Sequence, residues 1–387
     1  MSLKDRIINS LEERKKKIEE GGINCIPLPF TRFRQELPGI EQGNYYLISG
    51  ATKSGKSQLT NYLFIYNTVL YKYYNPSKLY PKIFYFPLEE TAESITLRFM
   101  SFLLSFLTQG AIRISPIDLK STDERKPVPQ KILDFMSTNQ EFKDIMDLYE
   151  NIVTFYDDRN PTGVWKTLTN YAKNNGTTIT KTIKIKETNE LGKEQIVDRD
   201  IFDYYISNNP EEYVFIIVDH VSLLESERGK DLRETINKLS EYMIILRNRY
   251  HYIPVIVQQQ SAETQNSNAV KEGKIRPTVT GLSDSKYTAR DCNIMIGITN
   301  PHTYEFEEYK GYRIKDYFKG NARFMEVVIN RNGTANGICP LFFDGAINSF
   351  KELPTPDKTT EIEKYLIQIN NWKKAKAFFM WAKHLFK

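Results

Sequence analysis

Eight consecutive residues, Gly50, Ala51, Thr52, Lys53, Ser54, Gly55, Lys56 and Ser57, fit the pattern G-x-x-x-x-G-K-[ST]. Glycines at both ends let a tight loop turn successive backbone N–H groups toward one point, which suits a phosphate group. In such a loop the lysine reaches the β- and γ-phosphate oxygens and the hydroxyl ligates Mg²⁺. Gln58 opens an amphipathic run directly behind, so a helix N-terminus would add its partial charge to the cradle. The stretch is a candidate nucleoside triphosphate site. Its bland alternative, a glycine turn carrying a solvated lysine, does not call for the apolar run on one side and the helical run on the other.

Two further segments carry carboxylates where phosphate chemistry needs them. In YVFIIVDHVSLL, an apolar run ends at Asp219, which puts a carboxylate at the tip of a buried strand, positioned with Ser57 to hold Mg²⁺. In KIFYFPLEETAESITLRF, another apolar run ends at Glu89 and Glu90, just before a helical pattern. Glu89 is the candidate base that orients an attacking water. Glu90 reads as an acidic helix N-terminus interacting with the helix dipole.

These groups must be held by a sheet. Apolar or β-branched runs over 45–50, 82–88, 213–219, 253–259, 293–298 and 324–330 alternate with helical stretches over 58–72, 91–107 and 231–250. That rhythm predicts an α/β fold with a mainly parallel central sheet, flanked by helices, and with binding groups at the carboxyl ends of the strands. The interval of about 108–210 breaks the rhythm: a Pro-rich loop, a helical piece and TTITKTIKIKETNELGKEQIVDRDI, whose period-2 alternation around a polar turn predicts a β-hairpin. The organisation read from this is a charged N-terminal helix and linker (1–26), one core (27–353) with the insertion, and a basic amphipathic C-terminal helix (354–387). The last carries Tyr365, Ile369, Trp372, Phe379 and Phe386 on one stripe among Lys373, Lys374, Lys376, Lys383 and Lys387.

Composition excludes several classes. A chain of 387 residues, 40% hydrophobic, can bury a sizeable core and is not of the disordered type. Lys plus Arg at 53 against Asp plus Glu at 48 leaves a net charge of +5, which permits a polyanionic partner without demanding one. Cys25, Cys292 and Cys339 are odd in number and far apart, offering neither a disulfide framework nor a zinc knuckle, which fits a reducing compartment. No window approaches 18 consecutive apolar residues and the charged N-terminus is unlike a signal peptide, so the expectation is a cytoplasmic protein with no membrane partner.

Taken in order, these segments resemble the RecA-fold motor domain of DnaB-type replicative helicases over roughly 27–107 and 211–353. IPLPFTRFRQELPGIEQGNYYLISG resembles the family's lead-in to its first core strand, FPLEETAESITLRF its glutamate segment with Pro87 in place of serine, and IIVDHVSLL its Walker B strand with His220 in place of tyrosine. IPVIVQQQSAE resembles the strand carrying a γ-phosphate-sensing glutamine, which falls on Gln260, with Gln259 where serine is usual. VVINRNGTANGICPLFF resembles the arginine-finger segment. The resemblance implies ATP and Mg²⁺ as cofactors, Arg331 acting on the γ-phosphate of a neighbouring subunit, and hence an oligomer, typically a homo-hexameric ring. Ile329 stands where the family has a second trans-acting lysine, and Lys53 or Arg323 are candidates to compensate. The family's N-terminal primase-docking domain has no counterpart in the short stretch before the loop strand.

By the same resemblance, the partner is single-stranded DNA at a replication fork, with a primase or helicase loader as further partners. The DNA-facing candidates lie in 225–231, with Arg228 and Lys230, and in 261–287, with Lys271, Lys274, Arg276, Ser283, Asp284 and Lys286. Such loops would track a backbone with strong salt dependence and little sequence preference. Two alternatives stay open: a RecA-like recombinase or recombination mediator, and a nucleotide-switched DNA-binding assembly protein with residual hydrolysis.

Overall fold

Long runs of Val, Ile, Phe and Tyr, buried on both faces, make the strands of this chain, and the elements that cover them come from the intervening amphipathic helices. The computed structural model of the chain describes residues 3–188, 194–261, 270 and 275–367. In chain order the strands are β1 (Ile26–Pro27), β2 (Gly39–Ile40), β3 (Tyr46–Gly50), β4 (Tyr80–Pro87), β5 (Val153–Phe155), β6 (Gly176–Thr188), β7 (Glu194–Ser207), β8 (Glu212–Asp219), β9 (Ile253–Gln259), β10 (Ile294–Thr299), β11 (Glu308–Tyr309), β12 (Tyr312–Arg313), β13 (Ala322–Asn330), β14 (Ile338–Asp344) and β15 (Ser349–Glu352).

A nine-stranded sheet in the order β15-β14-β13-β10-β3-β9-β8-β4-β5 organises the described residues. From β10 to β5 every neighbouring pair is parallel; β13, β14 and β15 are antiparallel additions on one side. The fold is therefore α/β, of the RecA-like kind, with a mainly parallel sheet. Alternation along each strand sends side chains to two cores. Tyr46, Ile48, Phe215, Ile217, Val255 and Val257 face one, which is filled by Leu59, Leu63, Phe64, Phe99 and Ile145 from covering helices. Tyr45, Leu47, Val214, Ile216, Val218 and Ile256 face the other, under Ile236, Leu239 and Met243 of the helix Leu232–Tyr250.

The helix behind the first core strand is α-helical over Lys56–Thr60, takes a π-helical turn over Asn61–Tyr66 and resumes over Asn67–Tyr74, one continuous rod. The interval 108–210 differs from the expected single insertion. β5 pairs with β4, and the helices Gln140–Ile152 and Pro161–Asn174 bury Ile145, Tyr149, Val164 and Leu168 in the two cores. A three-residue strand is too short to show a period, which is why the sequence hid it. The hairpin β6–β7 extends from this part, with a register shift between Ile179 and Thr180. At the C-terminal side, Ile362 and Tyr365 pack with Phe324 and Phe342. Ile369, Trp372, Phe379 and Phe386 and the lysines beside them lie outside the described residues.

Candidate functional site

The loop after β3 turns back on itself at two places that only glycine fits. A Cβ on Gly50 would lie 2.5 Å from the Ile298 carbonyl oxygen and 2.6 Å from Ser54 Oγ, and Gly55 sits at φ +100°. Thr52 and Lys53 are exposed at the loop tip, Ser54 is buried with its hydroxyl unpartnered, and Gln58 is half-buried in the first helical turn. Lys56 is buried, and its Nζ donates to the Ala51 carbonyl at 3.0 Å. Burial lowers its pKa, opposed by Asp219 and Glu89. An ammonium held by a backbone carbonyl, with two carboxylates near by, is a partly unsatisfied cation for an arriving polyanion to meet.

Asp219 ends β8 on the face shared with the loop helix. Burial pushes its carboxyl up to about 6; Glu89 and Glu90 push the same way, while the Ser57 hydroxyl and Lys56 pull it down. Its Oδ1 is buried without a hydrogen-bond partner, and Tyr85 Oη donates to Oδ2 at 3.4 Å. An orphaned carboxylate oxygen beside a serine hydroxyl and a triphosphate cradle is the donor set a divalent cation needs, the remaining positions falling to phosphate oxygens and water. Among the described residues no group of three or more His, Cys, Asp or Glu side chains forms a self-sufficient metal site.

Register brings the second carboxylate in. Pro87 is paired with Asp219, and the Leu88 N–H donates to the Asp219 carbonyl at 2.8 Å, so β4 hands Glu89 to the rim of the same site. Glu89 is more than half exposed, with Oε2 3.5 Å from His220 Nε2. Burial lowers the His220 pKa. Glu90 turns away, into a two-pronged bond with Arg98 at 2.9 and 3.1 Å.

The glutamine strand departs from expectation. Gln259 follows Val255 and Val257 on the loop-helix face, and its side chain lies 3.3 Å from His220 Nε2. Gln260 is on the opposite face: it donates to Ser49 Oγ at 2.8 Å and the Thr278 carbonyl at 3.1 Å, and accepts from the Thr278 N–H. Period-2 alternation thus puts Gln260 in a buried structural role and leaves Gln259 facing the site.

Arg331 stands away from the chain's own loop. It follows the last residue of β13, and its backbone N–H donates to the Asn293 carbonyl, at the start of β10 and β3. From Tyr45 to Gly50 the strand climbs roughly 16 Å at about 3.3 Å per residue, so the side chain does not reach its own phosphate loop. The guanidinium bonds the Cys292 carbonyl at 2.8 Å and the Arg290 carbonyl.

Of the DNA-facing candidates, Arg228, Lys230 and Lys286 are exposed. Ser283 is tied to the Gln259 carbonyl through both N–H and Oγ at 3.0 Å, and Asp284 accepts from Ser222 at 2.7 Å, joining the loops after β8 and β9. Arg276 differs from expectation: it pairs with buried Glu326 at 3.5 Å and donates to Asn336. Lys271 and Lys274 lie outside the described residues. Arg323, buried and bonded to the Ser54 carbonyl at 2.8 Å, belongs to the site although it sits 269 positions from that residue; the sequence signal was no more than its position a few residues before the finger segment.

No protein-family model matches the sequence, and no curated protein matches it. Among solved structures, the chain is similar to one solved as an isolated ATPase domain, with a TM-score of 0.62 and 14% identity over 91% of this chain and 99% of that one. It is also similar to a DnaB-like replicative helicase solved for its interactions with primase, with a TM-score of 0.60 and 14% identity, covering 92% of this chain and 67% of that one. At this identity the likeness is one of fold: the chain has the fold of a DnaB-type helicase motor domain. No described helix is long and apolar enough to cross a membrane.

Proposed function

We propose that this chain is an ATP-hydrolysing, ring-forming DNA helicase motor that moves along single-stranded DNA at a replication fork. The observation that carries the reading is a division of the site across the sheet. The phosphate loop, Asp219, Glu89 and Gln259 converge at the carboxyl ends of the parallel strands, while Arg331 sits at the opposite end, where it can serve only a neighbour's nucleotide.

In this reading, Lys56 leaves the Ala51 carbonyl for the β/γ oxygens, and the Gly55 to Ser57 N–H groups hold the phosphates. Mg²⁺, when held by Ser57 and Asp219, neutralises charge on the same oxygens. Glu89, exposed at the rim, accepts the proton of the attacking water, and His220 and Gln259 hold its carboxylate in place. Arg331 of the adjacent subunit stabilises the transition-state charge after releasing its two carbonyls. Ser222, Ser283 and Asp284 link the phosphate end of β8 and β9 to the turn that carries Lys286, so nucleotide state reaches the DNA-facing loops. A homo-hexamer, a primase or loader partner and a cytoplasmic setting belong to the same proposal. The capture of Arg331 by its own chain's carbonyls favours a second reading, a nucleotide-switched assembly protein with residual hydrolysis.

ATP turnover with and without single-stranded DNA separates them. DNA-stimulated turnover that Glu89→Gln and Arg331→Ala each abolish, with partial recovery when the two variants are mixed, supports shared sites in a ring. Turnover indifferent to DNA, or an Arg331→Ala protein as active as wild type, refutes the motor and leaves the switch.

A further inference from the structure

Arg323 enters the structure at the start of β13, 6% exposed, with no carboxylate bonded to it. All its hydrogen bonds go to backbone carbonyls: Nε to Ser54 at 2.8 Å, Nη1 to Gly320 at 2.7 Å and to Ala322 at 2.8 Å. Its charge also lies over the Phe343 ring, 5.1 Å from the centroid. Burial without an anion lowers its pKa to about 10. A buried guanidinium that meets only carbonyls and a ring is costly, and a chain that keeps one commonly uses the charge.

The carbonyl it holds shows the use. In a trans peptide the C=O and N–H point in opposite directions. By bonding the Ser54 carbonyl from outside the loop, Arg323 turns the N–H of the same peptide, that of Gly55, inward to the concave side of the cradle. The Gly55 N–H takes no acceptor among the described residues, and Gly55 holds the left-handed conformation this turn requires. Polarisation of the peptide by the guanidinium makes that N–H a stronger donor.

We propose that Arg323 is a positioning residue of the phosphate cradle: acting through the Ser54–Gly55 peptide, it aims and strengthens the Gly55 N–H toward the β-phosphate of a bound nucleoside diphosphate or triphosphate. This rests on the nucleotide reading above, and on no part of the DNA or ring reading. It assigns this chain a second buried cation in cis, behind the loop, beside Lys56 within it.

The test uses the full chain, a fluorescent ADP analogue, and ATP turnover, with Arg323→Gln and Arg323→Lys beside wild type. Removing a charge-assisted contact of this kind weakens binding about tenfold. Arg323→Gln should therefore raise the ADP-analogue Kd and the KM for ATP about tenfold, with kcat at saturating ATP within about threefold, because the lost contact is made in ground state and transition state alike. Arg323→Lys, which keeps the charge and one bond, should recover part of the affinity. A merely structural role would lower the fraction of competent sites and leave the Kd of that fraction unchanged; that result, or wild-type Kd in Arg323→Gln, overturns the proposal. Wild type that binds no ADP analogue overturns the nucleotide reading itself, whereas DNA-indifferent turnover refutes the ring motor alone and leaves Arg323 in its role.

Discussion

Replacing Asp219 with asparagine should stabilise the nucleotide-free protein while removing Mg²⁺-dependent nucleotide binding. Asp219 is 5% exposed, and burial is the main reason its carboxyl rises from 3.8 to about 6. The folded chain therefore binds this proton more tightly than the unfolded chain does. The stability the proton supplies is fully present below pH 3.8 and is lost as pH rises through 6, so at neutral pH the ionised carboxylate opposes folding. At about 1.4 kcal/mol per pH unit, the displacement amounts to about 3 kcal/mol. For 387 residues at roughly 2.1 cal/mol/K each, that is about 4 °C in melting temperature. Asparagine has nearly the same shape and no charge to bury. Melting followed by calorimetry should show Asp219→Asn above wild type by about 4 °C at pH 8 and by about half of that at pH 5, since the opposing term grows with the distance of pH from 3.8. In the same assay, Mg²⁺ with ADP should raise the wild-type melting temperature and leave that of the variant unmoved. A variant no more stable than wild type at pH 8, or a gain equal at both pH values, would refute the argument that Asp219 is held ionised at a cost until a cation arrives.

Two further outcomes follow from where side chains point. Gln259→Ala should lower DNA-stimulated turnover about tenfold with melting nearly unchanged, whereas Gln260→Ala should destabilise by about 1–3 kcal/mol by stranding buried partners at Ser49 and Thr278; equal effects on turnover would sink the assignment of faces. Lys286→Ala should reduce the salt dependence of single-stranded DNA binding by about one phosphate contact, while Arg276→Ala, whose guanidinium is held by Glu326, should lower melting and leave the salt slope alone; a slope that responds to Arg276 and not to Lys286 would reverse the two roles.

What this sequence by itself determined is whatever lies in one contiguous stretch. The loop from Gly50 to Ser57 carries its glycines, lysine and serine in order, and the apolar runs that end at Asp219 and Glu89 announce buried strands with acidic tips. Strands alternating with helices were enough for an α/β fold with a mainly parallel sheet. β5 was too short to show a period, and β14 and β15 escaped because their irregular burial, outside the parallel core, leaves no clean alternation. The tertiary structure decided the rest. In QQQ, neighbouring glutamines differ only in which face of the sheet they meet, and that parity is set by the helices packed on each side, so Gln259 and Gln260 exchange the roles their order suggested. Arg276 finds Glu326 fifty positions away, and Arg323 finds the Ser54 carbonyl at a separation of 269, through strand order that no local pattern records. Asp219 and Glu89 meet because β4 and β8 are paired in register, although they are far apart in the chain. Local propensity writes the elements and their tips; which charges share a low-dielectric site depends on packing between segments distant in the chain, and there the chemistry was settled.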